Sequence, residues 1–197
     1  ESAIAEIKAA PGDYQIKLQY GTITVARGLA LMKGQHVGVT FTLNAGGVRV
    51  LPRVNGVALP ELAPETEIFQ GGERVARSTL AGEIVRVGAG AYRVVSRFAH
   101  GNAEAVSNVV VKPGKLNALT FDHKAGVAKL LLAAGIGEAE WRVTASTGET
   151  LKPARGSSAI FVLKPGDYTA EVLTNGERTA KRFTISLGET KEIVLGD

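Results

Sequence analysis

An internal repeat runs through the 197 residues of the chain. The phrase Pro-Gly-Asp-Tyr at residues 11–14 recurs identically at residues 165–168, and Gly-Ala-Tyr stands between the two copies at residues 90–92. The three tyrosines, Tyr14, Tyr92 and Tyr168, are therefore 78 and 76 residues apart. Self-similarity at such a period indicates a tandem array, in which each repeat is one small structural unit packed against its neighbours.

Each tyrosine opens the same order of predicted elements: a strand, a turn, a second strand, a glycine-containing turn and a third strand. After Tyr14, apolar Ile16 and Leu18 alternate with polar residues, which is the period of a half-buried strand. The Asn-Gly pairs at residues 55–56 and 175–176 tolerate positive φ and predict tight hairpin turns. The predicted strands are residues 14–20, 22–31 and 37–43, then 92–98, 103–111 and 116–123, then 168–174, 177–186 and 190–195.

These patterns predict an all-β chain built of tandem small antiparallel β-sandwich modules, of prealbumin-like or Ig-like type. Gly-Glu at residues 72–73 aligns with Gly-Glu at residues 148–149, so whole modules are predicted at 46–124 and 125–197. Residues 1–45 contain only the last strands of a module and form a partial one. Residues 133–140 have helical composition, but Gly135 and Gly137 interrupt it, and we interpret them as a loop. A parallel sheet is not expected, because crossover helices are missing.

The partial first module predicts an association surface. Half a sandwich leaves an apolar sheet face and an unpaired edge in water. We therefore expect residues 1–44 to be completed by the adjacent module, by a second copy of the chain or by upstream sequence. The expected partner is a protein, or the chain itself through this incomplete N-terminal module.

Composition narrows the functional classes further. The chain has no cysteine, so disulfides and thiolate metal sites are excluded. No apolar run approaches the roughly 20 residues that cross a bilayer, and residues 1–10 lack the pattern of a signal peptide. The net charge is +4, but the arginines are spread through alternating strands and do not form one basic face with aromatics among them. Nucleic-acid binding is therefore not expected.

No group of residues with catalytic or metal-binding spacing emerges. His36, His100 and His123 lack the close spacing of a zinc site and are interpreted as exposed loop histidines. The remaining candidates are interpreted as loop or connecting residues, because Ser157 and Ser158 lack a nucleophile elbow and the acidic residues lie among prolines. The acidic residues are Glu61, Glu65 and Glu67. We assign no catalytic, cofactor-binding or metal-binding residue, expect no cofactor, and do not expect an enzyme.

Two further patterns are interpreted structurally. The glycine-rich stretches at residues 88–90 and 135–137 precede no helix, so they are turns and not phosphate loops. Trp141, the only tryptophan, begins an alternating strand and is predicted to anchor a core. The recurrence of Tyr14, Tyr92 and Tyr168 favours a shared packing role, with the ring in the core and the hydroxyl bonded to a nearby turn.

Several of these phrases also carry a family resemblance. Asn-Gly-Val-Ala-Leu-Pro at residues 55–60, a later Gly-Glu turn, the Pro-Gly-Asp-Tyr strand entry and the final strand together resemble the prealbumin-like modules of carboxypeptidase-regulatory-type domains. Residues 92–96 and 112–116 resemble repeats of bacterial cell-envelope proteins. The resemblance implies a non-catalytic sandwich that spaces, docks or binds outside the cytoplasm, and it supplies no site residues.

Two functions follow as expectations. The first is a structural or protein-interaction module of a larger bacterial cell-envelope protein, acting as a spacer or docking surface in the periplasm or at the cell surface. The second is a sandwich that binds carbohydrate or a small ligand, which needs exposed aromatics on one face. Only Trp141, Phe69, Phe98 or Tyr20 could supply them.

Overall fold

The computed structural model describes residues 4–133, 137–174 and 177–196, with only the backbone of Glu177 described. These residues form sixteen strands and no helix. Accordingly, no helix in the described ranges has the length and apolar character needed to cross a membrane. The all-β prediction is confirmed.

The first element is a two-stranded hairpin. Strands β1 (Gly12–Tyr20) and β2 (Ile23–Leu31) pair antiparallel, from Gly12 opposite Leu31 to Tyr20 opposite Ile23. Gly21 lies in the turn between them with φ of 61°, a conformation that glycine adopts without steric cost. We call β1 and β2 the N-terminal hairpin.

The next seven strands form the central sandwich. Its two sheets have the orders β6-β3-β9 and β5-β4-β7-β8, and Val48, Ile68 and Val94 lie fully buried in its core. The strands are β3 (Ala45–Val54), β4 (Pro64–Gln70), β5 (Glu73–Ser78), β6 (Ile84–Gly88), β7 (Gly90–Phe98), β8 (Glu104–Val111) and β9 (Leu116–His123).

The last seven strands form the C-terminal sandwich with the same topology. Its sheets have the orders β13-β10-β16 and β12-β11-β14-β15, around a core that contains Trp141, Phe161 and Leu130. The strands are β10 (Gly126–Leu132), β11 (Ala139–Ala145), β12 (Ala154–Gly156), β13 (Ser158–Leu163), β14 (Gly166–Thr174), β15 (Glu177–Ile185) and β16 (Thr190–Leu195). Tandem small β-sandwich modules are thus confirmed.

One strand pair in each sandwich is parallel, although no parallel pairing was expected from the sequence. The first and last strands of each module run side by side in the same direction, β3 with β9 and β10 with β16. All other pairs between strands are antiparallel. No helical crossover is needed, because the five intervening strands themselves carry the chain from the first strand to the last.

The strand predicted at residues 37–43 does not form, so that prediction is wrong. Its counterparts β9 and β16 are held by parallel pairing to the first strand of their own module. Residues 4–44 contain only β1 and β2, and neither is equivalent to such a first strand. Alternating sequence alone does not make a strand when the backbone has no partner for its hydrogen bonds.

The turn predictions can be tested in part. Asn55 and Gly56 have φ of 48° and 82°, and Val54 and Val57 exchange backbone hydrogen bonds of 2.8 and 3.0 Å across them. The turn at residues 55–56 is confirmed. Residues 175–176 lie outside the described residues, as do residues 134–136 of the predicted loop, and β11 begins at Ala139 within the remainder of that loop.

Candidate interaction surfaces

The repeated tyrosines occupy matching places at the entry to β1, β7 and β14. Each hydroxyl donates a hydrogen bond to the carbonyl oxygen four residues earlier, at 2.6 Å for Tyr14 and 2.8 Å for both Tyr92 and Tyr168. The rings of Tyr92 and Tyr168 are buried, at 5% exposure each, whereas Tyr14 is 37% exposed. Burial raises the pKa of the Tyr92 and Tyr168 hydroxyls, which therefore remain protonated donors. The predicted packing role is confirmed for Tyr92 and Tyr168, whereas at Tyr14 the hydroxyl bond forms but the ring is not in a core.

Phenylalanine in place of Tyr168 is expected to lower the free energy of unfolding by about 1 kcal/mol, because the partly buried hydrogen bond is lost and the Lys164 carbonyl oxygen loses its donor. Chemical denaturation followed by circular dichroism measures this change. Tyr14→Phe is the control, since its ring is not enclosed and water can replace the lost partner. Equal losses for the two variants would contradict the difference in burial.

The central and C-terminal sandwiches meet through the turn between β7 and β8. The His100 carbonyl accepts a hydrogen bond of 3.0 Å from the Val162 amide, and the Asn102 amide donates one of 3.2 Å back to the Val162 carbonyl. Gly101 lies beside Val162 of β13, where a Cβ atom would be 2.1 Å from the Val162 carbonyl oxygen. Only glycine permits this backbone approach.

The side chain of Asn102 extends the same contact. Its Oδ1 atom accepts a hydrogen bond of 2.9 Å from the Lys164 amide, and its Nδ2 atom lies 3.2 Å from both the Tyr168 hydroxyl and Glu149 Oε2. One side chain of the central sandwich thereby bonds three groups around the tyrosine of the next one.

A separate apolar cluster fills the space between these two sandwiches. Val54, Phe98 and Ala103 of the central sandwich pack with Ala125, Val127 and Val162 on the C-terminal side. All six are buried, so the junction excludes water as a core does. The two sandwiches are consequently joined by a packed interface and not only by a linker.

A smaller contact joins the N-terminal hairpin to the central sandwich. The Thr22 amide donates a hydrogen bond of 3.2 Å to the Arg86 carbonyl on β6, and a Cβ atom at Gly21 would lie 2.3 Å from the same oxygen. Arg86 also donates through Nε to the Tyr20 hydroxyl at 2.6 Å and lies 5.1 Å from the centre of the Tyr20 ring.

One face of the N-terminal hairpin is apolar and only partly covered. Leu18 lies opposite Val25 and Tyr20 opposite Ile23, so these side chains share a face. Leu18, Ile23 and Val25 are half-buried, and Tyr20 is 42% exposed. In the complete sandwiches the equivalent face is closed by the opposite sheet.

One of the three histidines, His123, differs from the sequence prediction. His36 is exposed and His100 half-buried, but His123 is fully buried at the end of β9, so its interpretation as an exposed loop residue is wrong. Its Nε2 atom lies 3.1 Å from Ser96 Oγ, and its ring centre lies 4.9 Å from that of Phe98. Burial lowers the pKa of His123, opposed by the Ala103 backbone and the charges of Asp122 and Glu104.

This lowered pKa predicts an acid-sensitive central sandwich. The unfolded chain binds the proton with a pKa of about 6.5, whereas the folded state resists it. The stabilising contribution is therefore complete above that value and is lost as the pH falls through the lower folded pKa. In denaturation midpoints measured across this range, His123→Gln should show a shallower pH dependence than the parent. His36→Gln is the exposed control, and equal slopes in all three proteins would contradict the prediction.

Two of the candidate acids lie on a strand and not in a connection, so that interpretation is wrong for Glu65 and Glu67. Both are on β4, where Glu67 accepts hydrogen bonds of 2.6 Å from Arg74 and from Arg97, and Glu65 pairs with Arg77. The bond from Arg74 is the main cause of the lowered pKa of Glu67. Glu61 lies in the turn before β4, as expected.

The serine and glycine candidates can also be placed. Ser157 lies in a bend, but Ser158 begins β13 and is not a loop residue. The glycines of the turn predicted at residues 88–90 instead end β6 and begin β7, with only a bend at Ala89 between them, while residues 135 and 136 lie outside the described residues. Within those residues, no three histidine or acidic side chains are gathered as a metal site would need.

The four aromatic candidates form no common platform. Trp141 is fully buried with its Nε1 atom donating to the Gly156 carbonyl at 3.0 Å, which confirms the core anchor, and Phe98 is 4% exposed. Phe69 lines a shallow groove of about 470 Å³ on the central sandwich, whereas Tyr20 lies on the N-terminal hairpin against Arg86. The two of these four candidate rings that are accessible belong to different units.

Residues 132–195 match the model of a family described as the Rhizobiales growth-associated tandem repeat domain. This match covers β11 to β16 of the C-terminal sandwich and supports a repeat protein. A comparison with curated protein sequences finds no match.

Solved structures give weaker likenesses. The Bacillus anthracis TIE protein is similar over 94% of this chain and 43% of its own length, at 14% identity and a TM-score of 0.33. The minor pilin GBS52 of Streptococcus agalactiae is similar over 77% of this chain and 94% of its own, at 12% identity and a TM-score of 0.30. This chain thus spans less than half of the Bacillus anthracis protein.

Proposed function

We propose that the chain is a non-catalytic structural and protein-interaction segment of a larger bacterial cell-envelope protein, outside the cytoplasm. The observation that carries the proposal is the packed junction around Gly101 and Asn102, because it holds two sandwiches in a fixed series. A spacer needs such stiffness, whereas a catalytic unit does not. The match of residues 132–195 to a family described as a growth-associated tandem repeat domain supports the tandem-repeat part of this proposal.

The proposed division is a partial module at 1–45 and whole modules at 46–124 and 125–197. Separate core clusters in the two sandwiches support it. We further propose the prealbumin-like type for these modules. It is supported by the strand order, in which the first strand lies between the fourth and the seventh and the second between the third and the fifth.

Fractionation of the source bacterium tests the location. An antibody against the chain should detect it in the envelope fraction, and protease added to intact spheroplasts should degrade it. Protection inside the spheroplasts would overturn the extracytoplasmic role.

The partner-binding part of the proposal concerns the open face of the N-terminal hairpin. Its half-buried apolar side chains would be covered by a protein partner or by a second copy of the chain. A photo-crosslinking residue at Val25, on this face, should form an adduct in the envelope. The neighbouring Thr24 is exposed on the opposite side of β2 and is the matched control. No adduct at Val25, or equal adducts at both positions, would overturn docking through this face.

A further inference from the structure

The same kind of backbone contact occurs at both junctions of the chain, between the N-terminal hairpin and the central sandwich and between the two sandwiches. Thr22 donates its amide to the Arg86 carbonyl at 3.2 Å, and Asn102 donates its amide to the Val162 carbonyl at 3.2 Å. Each donor directly follows the hairpin-tip glycine whose missing Cβ makes room for that same carbonyl oxygen. The glycines are Gly21 and Gly101.

The residues that receive these tips are also equivalent. Arg86 on β6 pairs with Gly47, and Val162 on β13 pairs with Val127, so each lies opposite the first strand of its own sandwich. Gly47 and Val127 each follow a glycine. A Cβ atom added to that glycine would clash with a backbone carbonyl oxygen in the turn before the last strand of the module. Those two glycines are Gly46 and Gly126.

We propose that the carbonyl on the fourth strand of each module, at Arg86 and at Val162, is a docking site for the glycine tip of a hairpin from another module of the same repeat. The donor and receiving surfaces differ, so the contact is head-to-tail and does not close on itself. When this contact is repeated, each module is placed in the same position relative to the preceding one, which is the geometry of a linear array. The proposal deepens the spacer role and rests on it.

Side chains around the shared contact differ between the junctions. At the second junction, Asn102 bonds to the next module and a buried apolar cluster surrounds Val162. At the first, the aromatic ring of Tyr20 lies against the guanidinium of Arg86. The backbone contact therefore fixes the register, and the side chains set how strongly each junction is held.

Distance measurements on the full chain test the contact at the second junction. The chain has no native cysteine, so Asn108→Cys and Ala180→Cys place one spin label on an exposed position of each sandwich. In this background a single narrow distance distribution is expected by electron–electron double resonance. Gly101→Ala should broaden it and shift its maximum, because the added methyl group displaces the Val162 backbone.

Gly166→Ala is the matched control. Gly166 has φ of 156°, close to the 153° of Gly101, but the nearest atom to its Cβ position is a ring carbon of Tyr168 at 3.8 Å. The two variants place alanine at similar φ, and only Gly101→Ala adds a clash with the backbone of another strand. An unchanged distribution in folded Gly101→Ala, or equal broadening in both variants, would overturn the proposal.

Amide hydrogen exchange of the unaltered chain provides a test that needs no variant. The amides of Thr22 and Asn102 should both exchange more slowly than in free peptides, since both are bonded across a junction. Exchange of either at the free-peptide rate would overturn the shared contact. Both experiments use the isolated chain, so their failure leaves the fractionation result standing, and a failed fractionation leaves the junction result standing.

Discussion

Alanine in place of Trp141 is expected to unfold the C-terminal sandwich under conditions in which the central sandwich remains folded. The indole is fully buried, and its Nε1 atom donates to the Gly156 carbonyl, which would lose its partner. Truncating a buried tryptophan costs about 3–5 kcal/mol. A module of this size starts near the lower end of the 5–15 kcal/mol range of domain stability, so the loss removes most of it.

Urea denaturation followed by far-ultraviolet circular dichroism measures the effect, because the substitution removes the only tryptophan as a fluorophore. Two transitions are expected, since the two sandwiches have separate core clusters. Leu173→Ala, at a side chain 54% exposed on β14, is the control and should leave both midpoints nearly unchanged. An unaltered midpoint for Trp141→Ala would contradict the core assignment.

Strand positions were predictable wherever side chains alternate between a core and water. The strand predicted at residues 116–123 matches β9, and the one at 190–195 matches β16. The tyrosine role was predictable from recurrence alone, because a contact that depends on local geometry must be repeated with the module. Local alternation of apolar and polar residues thus predicts where most strands of each sandwich lie.

Pairing between distant strands was not predictable in the same way. The strand expected at residues 37–43 has the same alternating pattern as β9, yet only β9 has a first strand beside it. Whether a strand has a neighbouring strand to pair with depends on the whole module, and the local alternation of apolar and polar residues does not show it. The parallel first and last strands were missed for this reason.

The positions of buried and half-buried polar side chains were also predicted wrongly from the sequence. His123 ends an alternating strand, and its polarity suggested a surface position, but its ring packs on Phe98 and bonds to Ser96. Glu67 was assigned to a proline-stiffened connection, but it lies on β4 and its carboxylate pairs with Arg74 and Arg97. In both cases the partner that satisfies the polar group comes from another strand, which the linear sequence does not reveal. The junction at Gly101 was missed as well, because the sequence indicates only that a turn joins the strands predicted at residues 92–98 and 103–111.

Alanine in place of Gly126 is expected to destabilise the C-terminal sandwich by about 3 kcal/mol through overpacking. Its Cβ atom would lie 2.6 Å from the Ser186 carbonyl oxygen and 2.4 Å from a methyl carbon of Ile185. The isoleucine side chain can turn aside, but the carbonyl belongs to the turn that leads into β16. Moving that turn disturbs the parallel pairing of β16 with β10.

Gly46→Ala should have the same effect on the central sandwich, because its Cβ atom would lie 2.6 Å from the Lys112 carbonyl oxygen in the equivalent turn. Gly28→Ala is the matched control, since this glycine is also within a strand but has no atom within 4 Å of its Cβ position. Removing that strand glycine should be neutral or slightly stabilising. Denaturation midpoints of the three variants distinguish a steric requirement shared by both modules from a general loss of glycine flexibility, and an equal change in all three would exclude the steric one.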